Sequence, residues 1–335
     1  DKTPEETEII EKEDIDTEKA ATESGEDSDV SDSEDVEEKK FSVGTALALV
    51  GITALIGSGS GGSSGLSNGD FRNTVEGDYL TEYNYQSMLS SVNPLSLNDY
   101  GYDGTGINIA VVDSGIDASH PEFDEKTIRG YDFASSATGY ASDENGHGTH
   151  VASIIAGERD AVGMRGLAYE ANLFDYKTDN DGDGGLEALG GDSSVAAIFN
   201  RHVTDNINVS NNSWGFGTSV TGLSSAAARS AYSESIAAIK AAQSNGTLIV
   251  FAAGNNSRTQ PDIAGGLPYH DNDLKDAWLV VAAVDANLTE TFYTNRCGVA
   301  YDFCVTAPGG GDSVSTDGIL AAEANTAGYV RYSGT

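Results

Sequence analysis

The amino-acid sequence predicts an α/β fold: a mostly parallel, doubly wound sheet with helices on both faces. Three observations carry that reading. Five short apolar runs rich in β-branched residues recur at 107–112, 172–177, 207–212, 247–252 and 278–284. Helix-forming stretches at 148–156, 193–202 and 224–243 fall between the first four of them. A strand that returns parallel to its predecessor must cross the sheet face, so this alternation predicts helical crossovers. The first run is also followed by Asp113-Ser114-Gly115, and in such sheets ligands gather at the carboxyl ends of strands.

Taken from the start, the chain is 335 residues long, enough for one large domain plus appendages. It holds 53 Asp+Glu against 18 Lys+Arg, a formal net charge of −35. That balance excludes nucleic acid as a partner, since nothing here would neutralise a phosphate backbone, and it disfavours an anionic membrane surface. Residues 1–38 hold 18 acidic residues and three lysines without one aromatic side chain, too little apolar surface to offset chain entropy. We read 1–40 as a disordered acidic segment. Lys39-Lys40 precede an uncharged apolar run at 41–57 with small residues beyond it, the form of a secretory signal. At about 17 residues the run is marginal for crossing a bilayer, so an anchor is the second reading. Residues 58–75 are a Gly/Ser-rich linker, and the tyrosine-rich stretch at 79–102 packs on the domain that follows.

Several residues within the strand-helix array carry chemistry. Asp113 ends a buried strand, where an acid can cap a helix, bind a ribose or orient a histidine. Gly104-Thr105-Gly106 comes before that strand, so it is not the phosphate-cradling turn of a nucleotide fold. His147 stands between Gly146 and Gly148 at the start of an apolar helix, with room beside it for substrate backbone. Histidine takes and returns protons near neutrality, which suits a proton carrier, although a lone histidine at a helix start is more often structural. His150, three residues on, raises a metal pair; no glutamate sits between the two in the metalloprotease manner, and we read it as structural. Asp179-Asn180-Asp181-Gly182-Asp183-Gly184 opens like a calcium loop, but Gly190 stands where the chelating glutamate belongs, so a solvated acidic loop is the main reading. No cofactor is expected, with calcium the one candidate metal. Cys297 and Cys304, the only cysteines, are expected to form a disulfide closing a small loop.

The ordered set Asp113-Ser114-Gly115, His147-Gly148-Thr149-His150, Asn211-Asn212-Ser213-Trp214-Gly215 and Ala252-Ala253-Gly254-Asn255 resembles the subtilisin-like serine proteases across 76–335. The resemblance implies that Asp113 orients His147, that His147 is general base and then general acid, and that Asn255 donates to the oxyanion. Ser213, Trp214 and Gly215 would pair with an extended protein or peptide substrate. In the family the nucleophile follows a Ser-Gly-Thr, and the sequence runs to Tyr332-Ser333-Gly334-Thr335. Residues 76–335 are therefore read as an incomplete peptidase domain, truncated before the nucleophile helix and expected to be inactive as written. The stretch from Cys297 to Gly309 resembles subtilases carried by bacterial autotransporters. A secreted or cell-surface location is implied, at the outer membrane if a translocation barrel follows; membrane contact would come only through 41–57 or that barrel. The alternative is an inactive subtilase fold used as a surface binding or adhesion module.

Overall fold

The computed structural model describes residues 102–139, 142–160, 162–179, 190–311 and 314–335. The three segments assigned to 1–75, the tyrosine-rich stretch up to 101 and, of the acidic loop 179–184, all but the buried Asp179 lie outside them.

Eight strands form one sheet: β1 (Asn108–Asp113), β2 (Arg129–Asp132), β3 (Ala137–Thr138), β4 (Asn172–Lys177), β5 (Val209–Asn212), β6 (Leu248–Ala252), β7 (Trp278–Val284) and β8 (Cys304–Pro308). Their order is β3-β2-β4-β1-β5-β6-β7-β8, parallel throughout except for the β2–β3 pair. The mostly parallel, doubly wound reading of the sequence therefore holds. β1 lies at the centre, and its register sets the functional edge. Val112 stands opposite Asn212, and Asn212 opposite Phe251. Asp113 thus leaves the sheet level with the ends of β5 and β6.

Side-chain alternation along β1 divides the core in two. Ile109 and Val111 face helix α1 (His147–Ala156), packing with Val151, Ile154 and Ile155. Ala110 and Val112 face the other way, toward α2 (Asp192–Asp205) and α4 (Ser233–Ser244), and meet Ile198, Phe199, Ile236 and Ile239. Strands covered on both faces read as continuous apolar runs, which is why these were visible in the sequence. Burial of a side chain such as Ile155 or Phe199 is worth roughly 1.5–3 kcal/mol.

The helix expected over 224–243 is instead two: α3 (Ser225–Ala231) and α4, parted at Tyr232. The cause is tertiary. Asp192, the first residue of α2, accepts from the backbone N–H of Glu234 at 2.7 Å and of Ser235 at 2.9 Å, capping a new helix N-terminus. The Tyr232 ring stacks on Phe216 with centroids 5.8 Å apart. Beyond a short helix α5 (Ile263–Gly266), Cys297 and Cys304 are joined in the expected disulfide, Cα atoms 5.7 Å apart, tying the segment before β8 to its first residue. After α6 (Val314–Asp317), β9 (Ile319–Ala322) and β10 (Tyr329–Tyr332) form an antiparallel pair that packs on α1, where the Ala322 N–H reaches Ser153 Oγ at 3.1 Å. Among the described residues no helix is long and apolar enough to cross a membrane.

Candidate active site

The parallel topology brings the ends of β1, β5 and β6 together at one edge. They are consecutive neighbours in the sheet, so the outer two lie roughly 10 Å apart at about 4.8 Å per strand. Asp113, Ser213-Trp214-Gly215 and Asn255 all belong to this edge.

Asp113 is buried, and its Oδ1 accepts from its neighbour's backbone, Ser114 N–H, at 2.8 Å. The same oxygen lies 2.5 Å from Nδ1 of His147. His147 is the first residue of α1, and its side chain is 16% exposed against 5% for Asp113, so the pair faces outward through the imidazole. A carboxylate against Nδ1 selects the tautomer with the proton there and makes Nε2 the basic nitrogen. The close approach of α1 to the end of β1 depends on Gly148, since a Cβ at that position would strike the carbonyl oxygen of Gly115. Gly146, with φ of 95°, provides the left-handed turn into the helix.

Asn255 leaves β6 through Ala253 and Gly254. Its Oδ1 accepts from the backbone N–H of Thr335 at 2.8 Å and from Thr335 Oγ1 at 2.7 Å, while the Gly254 N–H donates to that same hydroxyl at 3.1 Å. With the amide oxygen committed to Thr335, Nδ2 is the donor end of Asn255. The loop itself is shaped by Asn295, fully buried, whose Oδ1 accepts from Asn256 N and Arg258 N and whose Nδ2 donates to Ala253 O.

Ser213, Trp214 and Gly215 extend from β5. Asn211 Nδ2 donates to Ser213 Oγ at 3.1 Å, and the buried Trp214 ring meets Phe251 edge-on at 4.9 Å. Gly215 lies against the Asp262 carboxylate, which a Cβ there would meet at 2.8 Å. That carboxylate accepts from the N–H groups of Phe216, Thr218 and Ala264, each at 3.0 Å, and so fixes the segment that follows. Burial raises the Asp262 pKa despite these donors.

His150 points away from this edge. Its Nε2 is 3.2 Å from Ile319 O and 3.3 Å from Val330 O, and its ring lies 4.6 Å from that of Tyr332. Burial, with a smaller contribution from the neighbouring His147, pushes its pKa down to about 3. A neutral histidine donating to carbonyls joins α1 to the β9–β10 pair, and the two histidines do not converge. Among the described residues no group of three or more His, Cys, Asp or Glu side chains could hold a metal ion. Sequence reasoning missed Asn295 and Asp262; only Pro261-Asp262 ahead of a short helix offers a signal, that of an N-cap.

Residues 104–335 match the subtilase family, peptidase S8. An extracellular serine protease of Serratia marcescens is 30% identical over 293 residues, covering 74% of this chain and 26% of that protein. Subtilisin E of Bacillus subtilis is 30% identical over 198 residues, covering 58% of this chain and 47% of its own length. A thermostable alkaline protease of Halalkalibacterium halodurans is 34% identical over 200 residues, covering 59% and 47%. Each of these relatives is thus matched over less than half its length. Among solved structures, a cold adapted subtilisin-like serine proteinase superposes with a TM-score of 0.50 at 25% identity, over 69% of this chain and 70% of that one.

Proposed function

The chain belongs to the subtilase family, and from that premise we propose that it is a serine endopeptidase acting on protein or peptide substrates. Asp113 and His147 are its proton-relay pair, and the nucleophilic serine directly follows Thr335. One observation carries the assignment: the 2.5 Å contact between Asp113 and His147 Nδ1 at the end of the central strand. Asn255 stands two strands away at that same edge.

In this reading the serine Oγ attacks the scissile carbonyl while its proton passes to His147 Nε2. Asp113 holds the proton on Nδ1 and stabilises the imidazolium that forms. The carbonyl oxygen becomes an oxyanion and takes a hydrogen bond from Asn255 Nδ2, an interaction stronger in the transition state than in the ground state. Collapse breaks the C–N bond, and His147 returns the proton to the leaving amine. Water then releases the acyl group by the same relay. Ser213 to Gly215 present backbone groups that pair with an extended substrate, as an added strand would. Export through the apolar segment at 41–57 fits this role and a relative named as extracellular; a translocation barrel would hold the enzyme at the outer membrane.

The test is a fluorophosphonate applied to the full-length protein, followed by mass mapping of the label. We expect a single labelled serine, the residue after Thr335, and parallel loss of peptide hydrolysis. A protein that takes no label and turns over no peptide would instead be an inactive subtilase fold serving as a binding module.

A further inference from the structure

The contact between Asp113 and His147 is held by a third acid that lies outside it. Asp143 sits four residues before His147 and is fully buried. Each of its carboxylate oxygens takes one backbone N–H and one hydroxyl. Oδ1 accepts from Gly146 N at 2.8 Å and Ser114 Oγ at 2.9 Å; Oδ2 accepts from Thr149 N at 2.9 Å and Thr149 Oγ1 at 2.6 Å. The Ser114 hydroxyl in turn accepts from Gly148 N at 2.9 Å. Both chain neighbours of His147, and the neighbour of Asp113, therefore hang on one carboxylate. On the outer side of the loop Lys177, opposite Asp113 in β4, donates to Ser142 O at 2.6 Å and pairs with Glu144.

We propose that Asp143 is a positioning residue for peptide hydrolysis, setting the Asp113–His147 distance through Ser114 and the first turn of α1. This rests on the peptidase reading above. An acceptor-only group is required here. A backbone N–H can only donate, and one faces each oxygen, so an amide NH₂ in either place would meet a donor head-on. The carboxylate also lies at the amino end of a ten-residue helix, where negative charge is favoured. Asp143 itself touches neither substrate nor reacting atoms; its effect is confined to how squarely the imidazole meets Asp113.

The experiment compares Asp143→Asn and Ser114→Ala with the unaltered full-length protein. The readouts are kcat, KM, melting temperature and the downfield proton resonance of His147 Nδ1–H, assigned by its loss in His147→Ala. We expect kcat to fall about 10- to 100-fold with KM within about twofold, as for a displaced catalytic group. The Nδ1–H resonance should move upfield or exchange with water. If Asp143→Asn does not fold, Ser114→Ala decides, because it keeps the Asp143 carboxylate and removes the hydroxyl that joins it to Gly148. Folded variants with unaltered resonance and kcat would overturn the proposal, since a purely structural acid would shift melting alone. The resonance exists whether or not the protein hydrolyses peptides, so failure of the peptidase reading is separately visible.

Discussion

His147 and His150 open the same helix three residues apart, yet they live in two different solvents. His147 meets a carboxylate at the sheet edge and keeps part of its ring in water, whereas His150 is wholly enclosed between α1 and the β9–β10 pair, held by two backbone carbonyls. Residue type and helical position are nearly shared; the partners are not. A carboxylate stabilises the imidazolium and leaves the second nitrogen basic, which is what a relay needs. Burial in a dry interior keeps the His150 ring neutral, against the opposing pull of the two carbonyls it donates to. One helix thus supplies a candidate proton carrier at its first residue and a cross-link to the closing hairpin one turn later.

That contrast can be broken by substitution. The largest effect is expected for His147→Ala, which should lower kcat about 10⁴-fold or more while the protein keeps its melting temperature. Steady-state kinetics beside thermal melting would read both. Asn255→Ala should follow, with kcat down about 10²–10³-fold and KM little altered, since its amide acts on charge that develops only in the transition state. His150→Gln should do the reverse, lowering stability by several kcal/mol while the folded enzyme keeps kcat within a few-fold.

Smallest at neutral pH, but diagnostic, is acid sensitivity. The folded pKa of His150 is about 3 against an ordinary 6.5, so the unfolded chain binds the extra proton first. Stability from this group is complete above pH 6.5 and is lost as pH falls from 6.5 toward 3. His202, buried between α2 and β5 and pushed to about 4, adds to the loss over 6.5 to 4. Denaturant midpoints between pH 7 and 4 should fall steeply, and less steeply in His150→Gln. An equal slope in both would remove the buried, neutral role assigned to His150.

Much of this was legible in the sequence because fully covered strands must be apolar on both sides. β1, β6 and β7 announce themselves as apolar runs, and α1 and α2 as periodic stretches; β4 and β5 are fainter, because they bury polar residues such as Asp175, Asn211 and Asn212. β2 and β8 do not, being short edge or near-edge strands with polar positions such as Arg129, Asp132 and Thr306. Asp113, His147 and Asn255 are proposed from motifs. Asp143 was not, because Asp-Glu-Asn-Gly reads as a surface turn, and sequence does not distinguish an acid facing water from one collecting four hydrogen bonds inside. The break at Tyr232 was hidden for a related reason. Its local sequence favours continuous helix, and the cap that starts the second helix comes from Asp192, some forty residues earlier.

The central claim is that His147, and not its helix neighbour, moves the proton. The most direct test is the second-order rate of fluorophosphonate labelling for the full-length protein, His147→Ala and His150→Gln, each measured on folded material. The account predicts near-normal labelling for His150→Gln and a loss of about a thousandfold or more for His147→Ala, because the serine then has no base. Equal labelling of the two variants would contradict it.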